Sequence, residues 1–203
     1  MSTDGDDLPE HWPRAGDRLF VQSHGAVDAP IATFRGERLY RMKKAFKTAA
    51  DLLVSHSEEN THERSNLVWP VVFCYRQYIE LALKDMLAVH GKQVVPKILP
   101  NWKDHGLLPL WRSYKKLIDA TLSEISAIDL PEVIAVDACI EEFDRVDTGS
   151  YTFRYPTDKQ GNQTDIPFGS IDLWHLQNVM EGIYLFFEAS EAALDAHFDV
   201  SYL

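Results

Sequence analysis

The stretch WPVVFCYRQYIELALKDMLAVHG, residues 69–91, decides the fold class of this chain. Apolar residues recur in it at spacings of three and four, which is the period of an α-helix. Pro70 suits a first helical turn and Gly91 suits the position after the last turn, so we expect a helix from about Trp69 to His90. Because this helix is apolar over much of its circumference, we predict that other elements surround it.

Four further segments outside this stretch show the same periodicity. The sequence therefore predicts an all-α protein, an antiparallel bundle of about five helices. Residues 1–35 carry scattered Pro and Gly and predict an extended N-terminal arm, whereas residues 36–203 form the helical domain. Lys43 and Lys47 fall off the apolar stripe of the first helix, and the polar run from Ser57 to Asn66 predicts a loop or a frayed turn. The four segments are Glu37 to His56, Leu107 to about Ser126, Pro131 to about Thr148, and a last helix N-capped by Asp172 that runs to about His197.

Residues 151–170 break the helical pattern between the fourth and fifth helices. Tyr151, Phe153 and Tyr155 alternate with polar residues, and DKQGN at 158–162 is typical of a turn. The sequence therefore predicts a small β-hairpin insertion or, as the alternative, an ordered loop. In a strand, Arg154 would point away from the three aromatic side chains, although Asp147, Ser150 and Asp158 could equally hold it inside the structure.

Composition excludes several classes of function. With 31 acidic residues against 20 Lys and Arg, the formal net charge of −11 disfavours general binding to nucleic acid. The two cysteines suit reduced thiols, no signal peptide is recognisable, and no run reaches the roughly 18 apolar residues of a membrane span. We therefore expect a cytoplasmic protein with no membrane partner. Phosphate-binding Gly-rich loops, nucleophile elbows and paired-Cys zinc motifs are missing from the sequence.

Arg76, Glu80 and Lys84 are spaced i, i+4, i+8 along the predicted central helix. The simplest interpretation is a solvated helix face with two ion pairs of a few tenths of a kcal/mol each. The alternative follows from the apolar character of the helix. In that case the charged row lines a cleft or a dimer seam, where Glu80 could orient other groups.

Three stretches together carry a family resemblance: YRQYIELALKDML at 75–87, HGLLPLW at 105–111 and FRYPTDKQGN at 153–162. In this order and spacing, over about residues 69–203, the chain resembles the HEPN-like helical proteins of prokaryotic defence and toxin loci. The resemblance implies an antiparallel helical bundle, often paired as a homodimer, in a superfamily that includes metal-independent ribonucleases. It therefore implies a defence or toxin–antitoxin-type protein that binds RNA or a partner protein.

For a ribonuclease, the resemblance directs attention to His105, Arg76, Glu80 and Arg154. His105 would serve as acid or base, Arg76 or Arg154 would contact the phosphate, and Glu80 would orient the others. No metal and no cofactor is expected. The Arg-to-His spacing typical of the nuclease members occurs only at Arg18 and His24, in the arm, and is interpreted as coincidence. The alternative function is a non-catalytic protein-interaction module.

A third hypothesis is a di-metal oxidoreductase. Glu59 precedes His62 by three residues, and Asp172 precedes His175 by the same spacing. Two such motifs joined by Glu80 and Glu141 would resemble the ligand set of a di-iron helical bundle. The first pair lies in a polar run and the second replaces Glu by Asp, so this hypothesis ranks last.

Overall fold

The chain is described by a computed structural model over residues 15–21, 25, 28–121 and 127–200. It divides into two compact units, Met1–Ile31 and Ala32–Leu203. In the first unit the described residues form a turn at residues 15–16 and otherwise neither helix nor strand. All the helices described below belong to the second unit.

The second unit is built from five α-helices in its described part, which confirms the all-α prediction. Short 3-10 turns at Thr61–Glu63 and Ala127–Asp129 precede the second and fourth helices. No helix among the described residues combines the length and the apolar content needed to cross a membrane. The helices are α1, Arg35–Glu59; α2, Arg64–Val89; α3, Leu107–Thr121; α4, Pro131–Val146; and α5, Leu173–Val200.

The core is centred on α2, whose Ile79, Leu83 and Leu87 are fully buried. Tyr78 of α2 packs against Tyr184 and Phe187 of α5, with ring centroids 6.2 and 6.3 Å apart. On the side of α1, the rings of Phe73 and Phe46 meet edge to face at 6.0 Å. These contacts explain why α2 is apolar over so much of its circumference: it faces neighbours in several directions.

Two aromatic residues of α3 extend this core. Trp111 and Tyr114 stack at 5.3 Å, and both contact Phe186 of α5, at 6.2 and 6.5 Å. The indole N–H of Trp111 donates to Asp137 of α4, and Lys115 Nζ lies 2.9 Å from both oxygens of that carboxylate. Apolar packing and one ion pair therefore hold α3 against α4.

The predicted loop between the first two helices is mostly helical, so that prediction is wrong. The first helix continues to Glu59 and α2 begins at Arg64, which places Pro70 inside α2 rather than at its start. Proline removes the bond to the carbonyl four residues earlier, which belongs to Asn66. Asn66 is exposed, so water can satisfy that carbonyl without breaking the helix.

The lysines off the apolar stripe of α1 are buried in ion pairs. Lys43, 3% exposed, lies 2.9 Å from Asp85 of α2 and 2.8 Å from Glu191 of α5. Lys47 pairs with Asp51 at 2.8 Å and with Glu181 of α5 at 2.7 Å. Charged contacts thus join α1 to α2 and α5 beside the apolar core.

The β-hairpin prediction for residues 151–170 is not supported. The only pairing there among the described residues is an isolated antiparallel bridge between Thr157 and Gln163. The turn itself is present, since Asp158 Oδ1 accepts backbone N–H bonds from Gln160 at 2.8 Å and Asn162 at 2.9 Å, and Gly161 has φ +85°. An Asx turn stabilises this short connection locally, so it needs no strand ladder.

Candidate functional site

The row of charges on α2 is buried, so its interpretation as a solvated face is wrong. Arg76, Glu80 and Lys84 are 0%, 2% and 3% exposed. Glu80 accepts from both cations: its Oε2 lies 3.2 Å from Arg76 Nη1, and its Oε1 lies 2.8 Å from Lys84 Nζ. Both oxygens of this buried carboxylate therefore accept a hydrogen bond from a buried cation.

The loop before α3 docks on this row through its backbone. Arg76 Nη2 donates to the carbonyl of His105 at 2.6 Å, and Lys84 Nζ donates to the carbonyl of Asp104 at 2.9 Å. The imidazole of His105 then lies against Glu80, with Nδ1 3.0 Å from Oε1. Glu80 and His105 therefore meet because Arg76 and Lys84 hold the backbone of residues 104 and 105 against α2.

The environment of Glu80 fixes the tautomer of His105. Since both oxygens of Glu80 accept hydrogen bonds from cations, Nδ1 of a neutral His105 carries the hydrogen and donates it to Oε1, and Nε2 keeps the lone pair. The side chain of His105 is 55% exposed, whereas that of Glu80 is 2% exposed. The arrangement is an accessible imidazole oriented by a buried carboxylate, which suits general acid–base chemistry.

Arg76 positions the site and is itself enclosed. Its Nε donates to the carbonyl of Asp147 at 3.1 Å and lies 3.4 Å from that residue's carboxylate. Burial lowers the pKa of Arg76, and the charges of Asp147 and Glu80 oppose this effect. Because Nε, Nη1 and Nη2 are all engaged and the side chain is fully buried, Arg76 serves as a positioning residue and is not a phosphate contact.

Arg154 lies outside this network. Its Nε donates to the carbonyl of Ser150, and its guanidinium lies over the rings of Phe73, Tyr151 and Tyr155 at 5.6, 5.4 and 5.5 Å. The prediction that Arg154 points away from the aromatic residues is therefore wrong. The backbone explains this, because residues 151–155 form a turn in which the amides of Arg154 and Tyr155 donate to the carbonyl of Tyr151.

Arg154 nevertheless offers an available cation. The residue is exposed, and no carboxylate in the described part of the chain pairs with it. It makes no described contact with Glu80 or His105. Of the four residues that the sequence singled out, the structure thus brings Arg76, Glu80 and His105 into one network and leaves Arg154 beside it.

Two aspartates support the site in roles that the sequence did not predict. Asp147 Oδ1 accepts from the backbone amides of Tyr151 at 2.6 Å and Thr152 at 3.1 Å, and Asp144 Oδ1 accepts from those of Leu107 at 3.1 Å and Leu108 at 3.3 Å. The sequence could have identified Asp144 by its position, because an acidic residue in the last turn of a helix interacts unfavourably with the helix dipole. An unfavourable charge of this kind indicates a specific partner, here the N-terminus of α3.

The residues of the di-metal hypothesis do not assemble. Among the described residues, no group of three or more His, Cys, Asp and Glu side chains is placed to hold a metal ion. Glu80 is committed to Arg76, Lys84 and His105, and Asp172 Oδ1 caps α5 by accepting from the amides of residues 174 and 175, each at 3.0 Å. His24, the second residue of the Arg-to-His spacing in the arm, lies outside the described residues.

Comparisons of the chain with models of protein families, with curated proteins and with solved structures found no match. Function is therefore inferred from the geometry around His105 and from the resemblance of the three sequence stretches.

Proposed function

We propose that this chain is a HEPN-like protein that cleaves RNA without a metal ion, with His105 as its acid–base residue. One observation carries the proposal: the exposed imidazole of His105 lies 3.0 Å from the buried carboxylate of Glu80. Two of the stretches that carry the resemblance meet here. The stretch 75–87 supplies Arg76, Glu80 and Lys84, and the stretch 105–111 begins with His105.

The chemistry is a transesterification at phosphorus. A base takes the proton of a ribose 2′-hydroxyl, the 2′-oxygen bonds to phosphorus, and the bond to the 5′-oxygen breaks as an acid protonates that oxygen. The products are a 2′,3′-cyclic phosphate and a 5′-hydroxyl. Neutral His105 can act as the base through Nε2, with Glu80 stabilising the imidazolium that forms.

The acid and the phosphate contact come from neighbouring groups. In a homodimer, a protonated His105 of the second protomer can supply the acid. Arg154, exposed and held over three aromatic rings, supplies a cation for the phosphate. Because the chain carries a net charge of −11, binding depends on such local cations, and activity should fall with salt and favour a structured RNA over bulk RNA.

The remaining parts of the proposal come from the resemblance. We infer an antiparallel helical bundle, a homodimer, a cytoplasmic location and a role in a prokaryotic defence or toxin–antitoxin-type system. The free thiols of Cys74 and Cys139 are compatible with a reducing compartment.

The test is RNA cleavage by purified protein in excess EDTA, with the ends of the products analysed. The wild type should leave 2′,3′-cyclic phosphate ends, and His105→Ala should lower the rate by about 10²- to 10⁴-fold. Arg154→Ala should weaken RNA binding and make the remaining binding less sensitive to salt, because one phosphate contact is lost. His62→Ala removes another exposed histidine, in the turn Thr61–Glu63, and should leave the rate unchanged.

The same variants can be compared for growth arrest on induced expression at matched soluble levels. Cleavage that persists in His105→Ala, or that leaves 3′-phosphate ends without a cyclic intermediate, would overturn the assignment of His105. Equal inactivity of wild type and variants on RNA would remove the ribonuclease proposal.

A second candidate is a non-catalytic protein-interaction module. It is favoured by large side chains left exposed on the surface, including Trp69 at 45%, Tyr155 at 50% and Trp174 at 52%. Capture of a specific partner protein that is lost with Trp69→Ala or Trp174→Ala, together with inactivity on RNA, would establish this function.

A further inference from the structure

A cavity opens between α2, α4, α5 and the segment that leads into α5. Its volume is about 250 Å³. Val72 of α2 and Met180 and Ile183 of α5 form its buried floor, at 4%, 0% and 3% exposure. Phe143 of α4 and Phe153 of the segment between α4 and α5 form aromatic walls. The cavity is thus enclosed mainly by apolar side chains from four parts of the chain.

The size of the cavity sets the size of a ligand. An apolar protein cavity of about 150 Å³ binds benzene, which has six carbons. A cavity of about 250 Å³ therefore has room for an apolar body of about ten carbons. Such a body would cover side chains whose apolar surface is otherwise left in contact with water at the mouth.

The rim of the cavity is acidic. Glu142 of α4 and Asp172 at the start of α5 line it together with His175, and no Lys or Arg belongs to the lining. Asp172 is committed to capping α5, but Glu142 is exposed and pairs with no cation among the described residues. The potential at the rim therefore favours a cationic group over an anionic one.

We propose that this cavity is a binding site for a small amphiphilic cation, with an aromatic or alkyl body of about ten carbons inside and an ammonium group at Glu142. The site does not involve His105, so this proposal and the ribonuclease proposal can be tested independently. The apolar body supplies most of the affinity, and the rim selects the charge.

Cys139 provides a reporter inside the cavity. Its side chain lines the wall, whereas Cys74, the other cysteine, is not part of the lining. Burial and the charge of Glu142 raise the pKa of the Cys139 thiol. A ligand body in the cavity should shield Cys139 from an alkylating reagent and leave Cys74 unaffected.

The test uses three probes that share one body: 4-phenylbutylammonium, 4-phenylbutanol and 4-phenylbutanoate. Calorimetric titration of the full chain should give a dissociation constant at or below about 1 mM for the cation. The cation should bind about five- to tenfold tighter than the anion, with the alcohol between them. Saturating cation should slow alkylation of Cys139 by iodoacetamide at least about fivefold, with Cys74 as the internal reference.

Three variants complete the test. Glu142→Gln should remove most of the preference for the cation, while Glu141→Gln, the exposed neighbour outside the cavity, should leave the preference unchanged. Val179→Phe fills the cavity and should abolish binding of all three probes. If this variant unfolds, the alkylation rate of Cys139 in the wild type, with and without the cation, is the test of whether the ligand enters the cavity. Equal affinity for the three probes, or binding that leaves Cys139 unprotected, would overturn the proposal.

Discussion

Arg76 holds together three parts of the chain that are distant in sequence. Its guanidinium donates to Glu80 on the same helix, to the carbonyl of His105 before α3, and to the carbonyl of Asp147 after α4. These hydrogen bonds are buried or part-buried. The position of the imidazole of His105 therefore depends on a residue that does not touch a substrate.

We predict that Arg76→Met lowers the free energy of unfolding by about 3–5 kcal/mol, because it leaves the buried carboxylates of Glu80 and Asp147 with too few donors. Urea unfolding followed by circular dichroism measures this change. Arg41→Met is the matched control, since Arg41 pairs with Glu37 across one helical turn at the surface, 62% exposed. The control should change stability by less than about 0.5 kcal/mol, and equal losses in the two variants would contradict the burial argument.

His90 is the residue from which we expect a pH effect on stability. Its ring stacks on Phe198 at 5.7 Å, and neither ring nitrogen has a hydrogen-bond partner among the described residues. Burial lowers its pKa from 6.5, opposed by Asp195, Glu191 and Asp85 and aided by Lys92. The folded chain therefore holds this proton less readily than the unfolded chain. The contribution to stability is present above about pH 6.5 and is lost as the pH falls through the lower pKa of the folded state.

His90→Phe should preserve the stacking and remove the titrating group. We predict that stability then falls less between pH 7.5 and 5.5 than it does in the wild type, as measured by urea unfolding at the two pH values. His62→Phe, at an exposed histidine, should keep the slope of the wild type. A steeper slope in His90→Phe would mean that the ion pair with Asp195 outweighs burial.

At the scale of elements, periodicity predicted where helices lie better than how they join. The start of α3 at Leu107, the start of α4 at Pro131 and the Asp172 cap of α5 were all predicted from the sequence. The junction of α1 and α2 was not, because residues 57–66 are polar on every side and carry no periodic signal. The segment after α4 alternates like a strand, but tertiary contacts of Phe153 and Arg154 set its conformation instead.

One helix end depends on a different helix. The amides of Leu107 and Leu108 at the start of α3 donate to Asp144 of α4, so the cap comes from outside the element. We predict that Asp144→Ala lowers stability by about 1–2 kcal/mol and speeds hydrogen exchange at Leu107 and Leu108. Asp144→Asn, which keeps an acceptor oxygen, should recover part of the loss. Asp119→Ala, at an exposed position of α3, is the control, and normal exchange at Leu107 in Asp144→Ala would refute the cap.

At the scale of the whole molecule, buried ion pairs join the helices, which composition alone does not indicate. Buried ion pairs tie α1 to α2 and α5 through Lys43 and Lys47, and the site contains a further buried group around Glu80. A sequence identifies the charged residues, but their burial depends on partners more than a hundred residues away, as for Lys43 and Glu191. For this reason the helices could be predicted from the sequence, whereas the enclosure of the site could not.

The exposed face of α5 bears on the homodimer. Trp111 and Phe187 are buried within one chain, whereas Trp174 is 52% exposed. Further exposed residues follow Trp174 at spacings of three and four, which places them on one stripe opposite the buried face of α5. They are small or apolar with one exception, Asn178: Asn178, Gly182, Leu185, Ala189, Ala192 and Ala196. A stripe of this kind allows two helices to approach closely.

We therefore predict that two copies of the chain pair through this stripe of α5. Light scattering at about 10–100 µM should give twice the monomer mass of 23.2 kDa. Ala189→Arg combined with Ala192→Arg should shift the protein to the monomer, because two copies would bring four cations onto one apolar seam. Ala135→Arg, at an exposed alanine of α4, controls for the added charge and should remain dimeric. A monomer mass for the wild type over the whole concentration range would refute the dimer. A dimer that survives the α5 substitutions would place the interface elsewhere on the chain.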